Sequence, residues 1–489
     1  MWARLWFFIS LIWLTQNVVF GIPGSCANYI YPLTNNENTY PYTGTETPYN
    51  LVHINTETTM TIPNCKPMQI WMLNKHGAQY PNEYMLRQIV NFTSKMRHNF
   101  LYLMKKIYSG QPMESIPLYA RIQKNWQTCP EFVNGRARNL SSRGKKDMVS
   151  LGERIRAKLA TLFNEDVRKS FKFRSTATEH TATSMLSFIN GAFNQGYKLH
   201  KPKKFESWNV TQYLTMKSFD GASSDTVLKF EIVPAIHDTL LKLYANCGTW
   251  NNFDNKEVQA FATTEMAKIF DDVFRDLQLP SEYNKNVMAT IYNTCRYERA
   301  VCPDKPSPWC DVFTIDEMKA LEYQYDLSSY YFVGPGRQIN RQLGCHPIRD
   351  MLQHFTKLER ANSDEPRGVF YFAESQMLSL FLTALGVGED SVPLTAANYR
   401  YSGNRSWRIS RLVPSSANFA AVFHRCYSND NPFKVTFYLN ENPLPLEGCE
   451  NGVCNWTQLK KKLGEIANKC STRVCQEKFF PNFELFGIH

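Results

Sequence analysis

The chain has 489 residues, of which 43% are hydrophobic and 20% are charged. These values exclude a disordered protein and provide enough residues for a large core in one or two domains. The formal charge of +11 suits a small anionic ligand or a membrane surface, and the sequence lacks the long lysine- and arginine-rich run that indicates nucleic-acid binding.

The N-terminus predicts a secretory signal peptide over residues 1–21. Arg4 is the only charge before an apolar run from Leu5 to Phe20, and Gly21 is a small residue suited to cleavage nearby. An uncleaved membrane anchor is the alternative, but the run is interrupted by polar residues and is short for a bilayer span. We therefore expect a protein of the secretory pathway, extracellular or in the endomembrane lumen, with no stable membrane span after cleavage.

The next segments predict an α/β fold. Residues 26–66 are rich in Tyr, Thr, Asn and Pro and predict an extended arm. Short apolar runs predict buried strands at Met68–Asn74, Phe171–Arg174, Val369–Ala373, Phe419–His424 and Lys434–Leu439. Apolar residues at helical spacing predict helices at Asn82–Lys106, Ser142–Phe163, Thr181–Phe193 and Ser375–Leu385.

The middle of the chain, residues 200–345, predicts mostly helices, at Asp238–Tyr244, Val258–Leu277 and Asp316–Tyr330. Strands alternating with helices around a helical insert favour a mainly parallel or mixed sheet flanked by helices. We predict an α/β core formed by residues 27–195 and 345–489. A mostly helical cap, residues 196–344, is expected to cover the site.

Thirteen cysteines follow the predicted signal peptide, and an oxidising compartment favours disulfides with one cysteine left over. Their connectivity stays open, although near neighbours can form local loops among Cys295, Cys302 and Cys310, between Cys449 and Cys454, and between Cys470 and Cys475. The last two pairs loosely imitate a zinc site, but their spacing and the compartment favour disulfides. Five N-x-S/T sequences predict N-glycan acceptors, at Asn91, Asn139, Asn209, Asn404 and Asn455.

The segment Lys75-His76-Gly77-Ala78-Gln79-Tyr80-Pro81 directly follows the first predicted strand. In an open α/β sheet, ligands bind beyond the carboxyl ends of the strands. A histidine followed by glycine at such a turn lets the backbone approach a ligand closely, and neutral imidazole is a competent nucleophile toward phosphorus. The alternative is a loop histidine that only caps a neighbouring group.

Several segments together resemble the histidine acid phosphatases, from about residue 65 to the C-terminus. The Lys75–Pro81 segment resembles the RHGxRxP signature of that family, and Phe173-Arg174-Ser175-Thr176 resembles its second arginine motif. Phe372-Ala373-Glu374 stands where the multiple inositol polyphosphate phosphatases have H-A-E. The resemblance implies a histidine-phosphatase-like core and a phosphorylated substrate such as inositol hexakisphosphate.

The same resemblance implies roles for individual residues. His76 corresponds to the nucleophile that forms a phosphohistidine, Glu374 to the proton donor, and Lys75, Arg174 and Gln79 to the phosphate-binding positions. Neither a metal nor another cofactor is implied, because in this family arginines stabilise the phosphoryl charge.

Three positions depart from the family pattern. Lys75 and Gln79 replace arginines, and Phe372 replaces a histidine. Losing one preorganised donor typically costs about 3–4 kcal/mol of transition-state stabilisation, so we expect a phosphatase with impaired activity. Burial beside Phe372 is expected to raise the pKa of Glu374. The alternatives are a non-catalytic pseudophosphatase that binds phosphorylated polyanions and a structural protein that keeps only the fold.

Two further pairs have both a functional and a structural interpretation. His237-Asp238 imitates the H-D pair of related acid phosphatases, but it lies in the helical middle region and is interpreted as a coincidence. Glu179-His180 follows the Arg174 motif and either enters the pocket or simply begins a helix, and the sequence favours the helix start.

Overall fold

The computed structural model of the chain describes residues 42–53, 59–106, 129, 131–132, 136–163, 170–193, 197–198, 211–216, 226–251, 255–279, 283–284, 286–302, 307–362, 364–427, 432–449 and 452–475. The predicted signal peptide, most of the predicted arm, Cys26 and Asn209 lie outside the described residues.

The described strands form one mixed sheet, which confirms the predicted fold class. The strands are β1 Cys65–Lys75, β2 Phe171–Thr176, β3 Tyr197–Lys198, β4 Thr211–Met216, β5 Thr226–Val233, β6 Gly368–Ala373, β7 Asn418–Cys426, β8 Phe433–Leu439, β9 Asn442–Pro443 and β10 Val453–Asn455. Their order is β10-β8-β7-β1-β6-β2-β5-β4-β3, with β9 paired to β8. The central strands β1, β6, β2 and β5 run parallel, and the flanking pairs are antiparallel.

Helices flank the sheet and fill the middle of the chain. They are α1 Glu83–Lys106, α2 Ser142–Lys158, α3 Ala160–Phe163, α4 Glu179–Phe193, α5 Gly248–Asn251, α6 Lys256–Phe261, α7 Ala267–Leu277, α8 Val287–Val301, α9 Ile315–Phe332, α10 Gln338–Glu359, α11 Ser375–Leu385, α12 Ile409–Leu412 and α13 Trp456–Asn468. A π-helical segment, Ala262–Met266, joins α6 to α7. Among the helices that the structure describes, none combines the length and apolar character needed to cross a bilayer.

Alternate residues of the central strands pack on opposite faces of the sheet. In β6, Phe370 and Phe372 join one cluster with residues of α2 and α4, whereas Val369 and Tyr371 join the other with residues of α10 and α11. All six residues of β6 are buried. Burial on both faces explains why these strands are continuous apolar runs in the sequence rather than alternating ones.

Two details of the middle region differ from the prediction. Asp238–Tyr244 is not a helix but a turn followed by a 3-10 turn over Leu243–Asn246, because the Asp238 carboxylate accepts a hydrogen bond from the Leu241 amide and fixes the chain in a turn. Residues 211–233 also contribute β4 and β5 to the central sheet. The division between a core and a cap at residue 196 stays a prediction.

Six disulfides use twelve of the thirteen cysteines, which confirms the predicted disulfide set. Two are the expected local loops, and four join distant segments: Cys295–Cys310, Cys449–Cys454, Cys65–Cys426, Cys129–Cys302, Cys247–Cys475 and Cys345–Cys470. Cys470 and Cys475 therefore do not pair with each other. The four long-range disulfides close large loops of the unfolded chain. In the chain-entropy model, a disulfide stabilises the fold more when the loop it closes is longer.

Candidate active site

A cavity of about 270 Å³ opens at the carboxyl ends of three adjacent parallel strands. Lys75 ends β1 and His76 follows it, Thr178 and His180 follow β2, and Glu374 follows β6. Because neighbouring parallel strands end at the same edge of the sheet, residues that are 298 positions apart, His76 and Glu374, meet at one place.

The loop after β1 is fixed by its contact with the start of α2. A Cβ atom on Gly77 would lie 2.6 Å from the Gly144 carbonyl oxygen, so this close approach requires glycine. The Ser141 hydroxyl accepts a hydrogen bond from the Gly144 amide at 3.0 Å and lies 2.8 Å from the Ala78 carbonyl oxygen, to which it donates. The loop that carries His76 is therefore held by backbone contacts rather than by its own side chains.

His76 presents an unprotonated nitrogen to the cavity. Its Nδ1 lies 2.8 Å from the Gly77 carbonyl oxygen, and because a carbonyl only accepts, Nδ1 carries the proton and Nε2 keeps its lone pair. The pKa of His76 is held well below its usual value, mainly by burial and secondly by electrostatic repulsion from His180. Imidazole in this form is the nucleophilic one. Nε2 lies 3.8 Å from Glu374 Oε2.

Glu374 and His180 are joined by a short polar contact. His180 Nδ1 donates to the Arg138 carbonyl oxygen at 2.9 Å, and His180 Nε2 lies 2.8 Å from Glu374 Oε2. Burial alone would raise the pKa of Glu374, but the charge and hydrogen bond of His180, followed by the charge of Lys242, hold it well below the usual value. The net effect is a lowered pKa for Glu374, so the expectation that its pKa is raised is wrong.

The second carboxylate oxygen of Glu374, Oε1, also has polar partners. The Thr178 hydroxyl donates to Oε1 at 3.1 Å, and Lys242 Nζ lies 3.3 Å from the same oxygen. Glu374 itself lies between the end of β6 and the first residue of α11, Ser375. These contacts fix the carboxylate in one orientation beside His76.

Lys75 lines the cavity but directs its ammonium group to the backbone. Nζ donates to the carbonyl oxygens of Thr45 at 2.5 Å and Pro414 at 3.1 Å. Burial lowers the pKa of Lys75 to about 8, although the carboxylates of Glu46 and Glu374 oppose this effect. Much of the ammonium's hydrogen-bonding capacity is therefore used within the fold.

Gln79 also lines the cavity, as the resemblance implied. Its Oε1 atom is buried, and none of the described residues donates a hydrogen bond to it. The side chain brings an amide where an arginine would bring a positive charge. Its role in binding phosphate stays a prediction.

The structure does not bring Arg174 to the cavity. Arg174 Nη2 lies 2.5 Å from Asp238 Oδ1, and Nη1 lies 3.8 Å from Glu231 Oε2. Arg174 stands two residues before the end of β2, so its side chain leaves from the sheet face instead of the carboxyl edge. Asp238 is the ion-pair partner of Arg174 in this structure, and the phosphate-binding role of Arg174 stays a prediction.

Phe372 also lies away from the cavity lining. It is fully buried, and its ring lies 5.6 Å from that of Phe188 of α4. The alternation along β6 turns the side chain of Phe372 into the core beneath α4, while Glu374 emerges at the strand end. The phenylalanine is a core residue here rather than an apolar wall of the site.

After β2, Thr178 and His180 both reach the cavity, and His180 is the second residue of α4. The sequence favoured a helix start for it, and it is both a helix start and a site residue. The position of His180 just past a buried parallel strand is the feature of the sequence that could have identified it as a site residue. Two further cations line the cavity, Arg138 and Lys242, and both come from loops without a recognisable pattern.

The cavity lining suits an anion. Among the described lining residues, three are basic, Lys75, Arg138 and Lys242, and two are carboxylates, Glu46 and Glu374. Glu46 is itself paired, because its Oε2 lies 3.5 Å from Arg296 Nη1. His76, His180 and Glu374 also bring three possible metal-ligand atoms within 4.8 Å of one another.

Known proteins resemble this chain along most of its length. It is 24% identical over 428 residues to multiple inositol polyphosphate phosphatase 1 of Drosophila melanogaster, which covers 85% of this chain and 83% of that protein. It is 26% identical over 425 residues to the human protein of the same name, covering 83% and 81%.

Solved structures share the fold. The phytase from D. castellii has a TM-score of 0.67 and 18% identity, covering 93% of this chain and 92% of that one. The multiple inositol polyphosphate phosphatase of Bifidobacterium longum, in complex with inositol hexasulfate, has a TM-score of 0.61 and 14% identity, covering 88% and 99%. The sequence profile of the histidine phosphatase superfamily (branch 2) matches residues 68–440, and the chain belongs to this superfamily.

Proposed function

We propose that this chain is a histidine phosphatase that hydrolyses phosphate monoesters of an inositol polyphosphate through a phosphohistidine on His76. The observation that carries this proposal is the lone pair of His76 Nε2, which faces the cavity 3.8 Å from Glu374 Oε2. Curated relatives named multiple inositol polyphosphate phosphatase support the substrate class. The cations lining the cavity are chemically suited to that polyanion.

The first step forms a phosphohistidine. His76 Nε2 attacks phosphorus while the bond from phosphorus to the ester oxygen breaks, and the leaving alkoxide takes the proton that His180 and Glu374 share. The phosphate dianion itself favours protonation of the nearby carboxyl group, which moves that proton toward Glu374. Lys242 and Arg138 line the cavity where they can neutralise phosphoryl oxygens.

The second step releases phosphate. A water molecule attacks phosphorus, the phosphorus–nitrogen bond breaks, and His76 recovers its lone pair. The water proton returns to the His180–Glu374 pair, so the pair ends the cycle as it began. The alcohol product and inorganic phosphate together account for all atoms of the ester and one water.

We propose that turnover is slow. Lys75 is held by backbone carbonyls, Gln79 brings no charge, and Arg174 is paired with Asp238. Each missing preorganised donor typically costs roughly 10²–10³ in rate, although losses in one cluster do not simply add. His180, Lys242 and Arg138 compensate for part of this loss.

A non-catalytic polyphosphate binder is the second candidate. The specific observation in its favour is that Glu374 contacts both His180 and Lys242. Burial raises the pKa of Glu374, but these two neighbours outweigh burial and hold the pKa well below the usual value, which favours the ionised carboxylate. An ionised carboxylate has no proton for the leaving alkoxide. In this case the same cavity would bind phosphorylated polyanions without converting them.

We also propose that the protein works in the secretory pathway or outside the cell, supported by its disulfides, which persist in oxidising compartments. Asn404 is exposed and suits an N-glycan. Asn455 is a poorer acceptor, because its Oδ1 already accepts hydrogen bonds from Thr457 and Gln458 at the start of α13.

The deciding experiment combines phosphate release with trapping of the intermediate. Purified protein is incubated with inositol hexakisphosphate, and acid-labile phosphohistidine is detected after rapid quenching. The proposal expects both signals to disappear in His76→Ala and to persist in His237→Ala, which changes an exposed histidine outside the cavity. Equal phosphate release by His76→Ala would contradict it, and saturable binding without release would establish the second candidate.

A further inference from the structure

We infer that the cavity is a binding site for a divalent transition-metal ion of the Zn²⁺ type, held by His76 Nε2, His180 Nε2 and a carboxylate oxygen of Glu374. Two imidazoles and one carboxylate with an open fourth position form a recognised catalytic zinc ligand set. This inference concerns the same side chains as the proposed phosphatase chemistry but does not depend on it.

The distances support the coordination. The three ligand atoms lie within 4.8 Å of one another, with 2.8 Å from His180 Nε2 to Glu374 Oε2 and 3.8 Å from His76 Nε2 to the same oxygen. Tetrahedral Zn²⁺ with ligands at its usual bond lengths separates neighbouring ligand atoms by about 3.4 Å. Small side-chain rotations therefore suffice, and the strand ends that carry the ligands need not move.

Both histidines are already oriented as metal ligands. His76 Nδ1 is 2.8 Å from the Gly77 carbonyl oxygen, and His180 Nδ1 is 2.9 Å from the Arg138 carbonyl oxygen. Metal-ligating histidines typically donate their other ring N–H to such an outer-shell acceptor, which fixes the tautomer and the ring orientation. Both rings are buried, and they meet edge to face with centroids 4.6 Å apart.

Three basic side chains that line the cavity oppose a cation here, Lys75, Lys242 and Arg138, and the structure limits the effect of the two lysines. Lys75 Nζ donates to the carbonyl oxygens of Thr45 and Pro414, which partly balance its charge. Lys242 Nζ lies 3.3 Å from Glu374 Oε1, which leaves Oε2 on the side of the two imidazoles. The fourth position opens into the cavity, where Lys242 favours an anionic fourth ligand over water.

Occupancy by the metal has a direct consequence for chemistry. The ion would use the lone pair of His76 Nε2, which is the atom that the proposed phosphoryl transfer requires. Metal binding and phosphohistidine formation therefore exclude each other at this site. Zn²⁺ is expected to inhibit any hydrolysis that depends on His76.

The test uses the full chain, depleted of metal with a chelator, and no substrate. Isothermal titration with Zn²⁺ alone is expected to give one site per chain, and Co²⁺ is expected to give the visible absorption of a tetrahedral complex. His180→Gln should weaken binding by more than the roughly 10- to 100-fold that losing an outer-shell partner costs. The control His237→Gln removes an exposed histidine and should leave binding unchanged.

A variant that removes a positive charge is expected to change Zn²⁺ affinity in the opposite direction to His180→Gln. Lys242→Met removes a positive charge beside Glu374, so it should strengthen Zn²⁺ binding while His180→Gln weakens it. Circular dichroism and thermal unfolding in chelator establish that each variant is folded. One-to-one Zn²⁺ binding that survives both His180→Gln and His76→Gln, or no binding by folded protein, would overturn the inference. Because no substrate is present, this result is independent of whether the chain is a phosphatase.

Discussion

His180 Nε2 lies 2.8 Å from Glu374 Oε2, while the other ring nitrogen of His180 donates to the Arg138 carbonyl oxygen. The two side chains therefore form a close polar pair in which His180 is buried and Glu374 is partly exposed. This pair sits beside the lone pair of His76, at the edge where β2 and β6 end. It links the acid–base behaviour of the site to a residue that belongs to neither arginine motif.

His180→Gln is expected to raise the pKa of Glu374. Burial, which favours the neutral carboxyl group, would then be opposed mainly by Lys242. The carboxyl group stays protonated to higher pH, so the proposed acid-dependent step should extend to higher pH. The measurement is the pH dependence of phosphate release from inositol hexakisphosphate, with His237→Gln as the control. An unchanged profile would show that the pair does not control the proton.

Arg174→Ala is expected to destabilise the fold rather than weaken phosphate binding. Asp238 is buried and would lose its ion-pair partner at 2.5 Å, and leaving one member of a buried pair typically costs about 3–5 kcal/mol. Urea unfolding measures the loss, and the Arg174→Met/Asp238→Leu double variant should recover part of it. A weaker affinity for phosphate with unchanged stability would instead place Arg174 in the binding site.

Gln79→Arg is expected to increase phosphate binding and turnover. Gln79 lines the cavity, and an arginine there adds a planar, charged donor for phosphoryl oxygens. Gaining one well-placed donor can be worth roughly 10²-fold in rate. Steady-state kinetics measure the gain, and Gln259→Arg adds the same charge at an exposed position away from the cavity. An equal response of the two variants would mean that only net charge matters.

Glu441→Gln is expected to lower stability in a pH-dependent manner. Burial raises the pKa of Glu441, but the hydrogen bond and charge of Arg154 outweigh burial and lower it. A lowered folded-state pKa adds stability that is full above the unfolded-state pKa, about 4.3, and is lost as the pH falls through the folded-state pKa. The variant should therefore differ most from the wild type near neutral pH.

Thermal unfolding across pH 3–8 measures this difference for Glu441→Gln. The control is Glu447→Gln, because Glu447 is exposed and its pair with Lys462 is screened by solvent. The control should unfold as the wild type does. A difference between Glu441→Gln and wild type that stays the same down to pH 3 would argue against the ionised carboxylate as the source of the stability.

Five of the strands could be predicted from the sequence alone, together with the two site residues that directly follow β1 and β6. Runs such as Val369–Ala373 are buried on both sheet faces, so they are continuously apolar and readable without a structure. The residue just after a parallel strand must emerge at its carboxyl edge, which placed His76 and Glu374 at one edge in advance. The disulfide set also followed from composition, although its long-range pairing did not.

Which cations reach the cavity could not be predicted from the sequence, because it depends on how the whole chain packs. Arg174 and His180 are six residues apart. Because β2 ends between them, Arg174 pairs with Asp238 whereas His180 contacts Glu374. Lys242 arrives from a loop, and its contact with Glu374 spans 132 positions of the sequence. Local pattern cannot encode such contacts, because side-chain direction at a strand end and the approach of distant loops are set by packing of the whole chain.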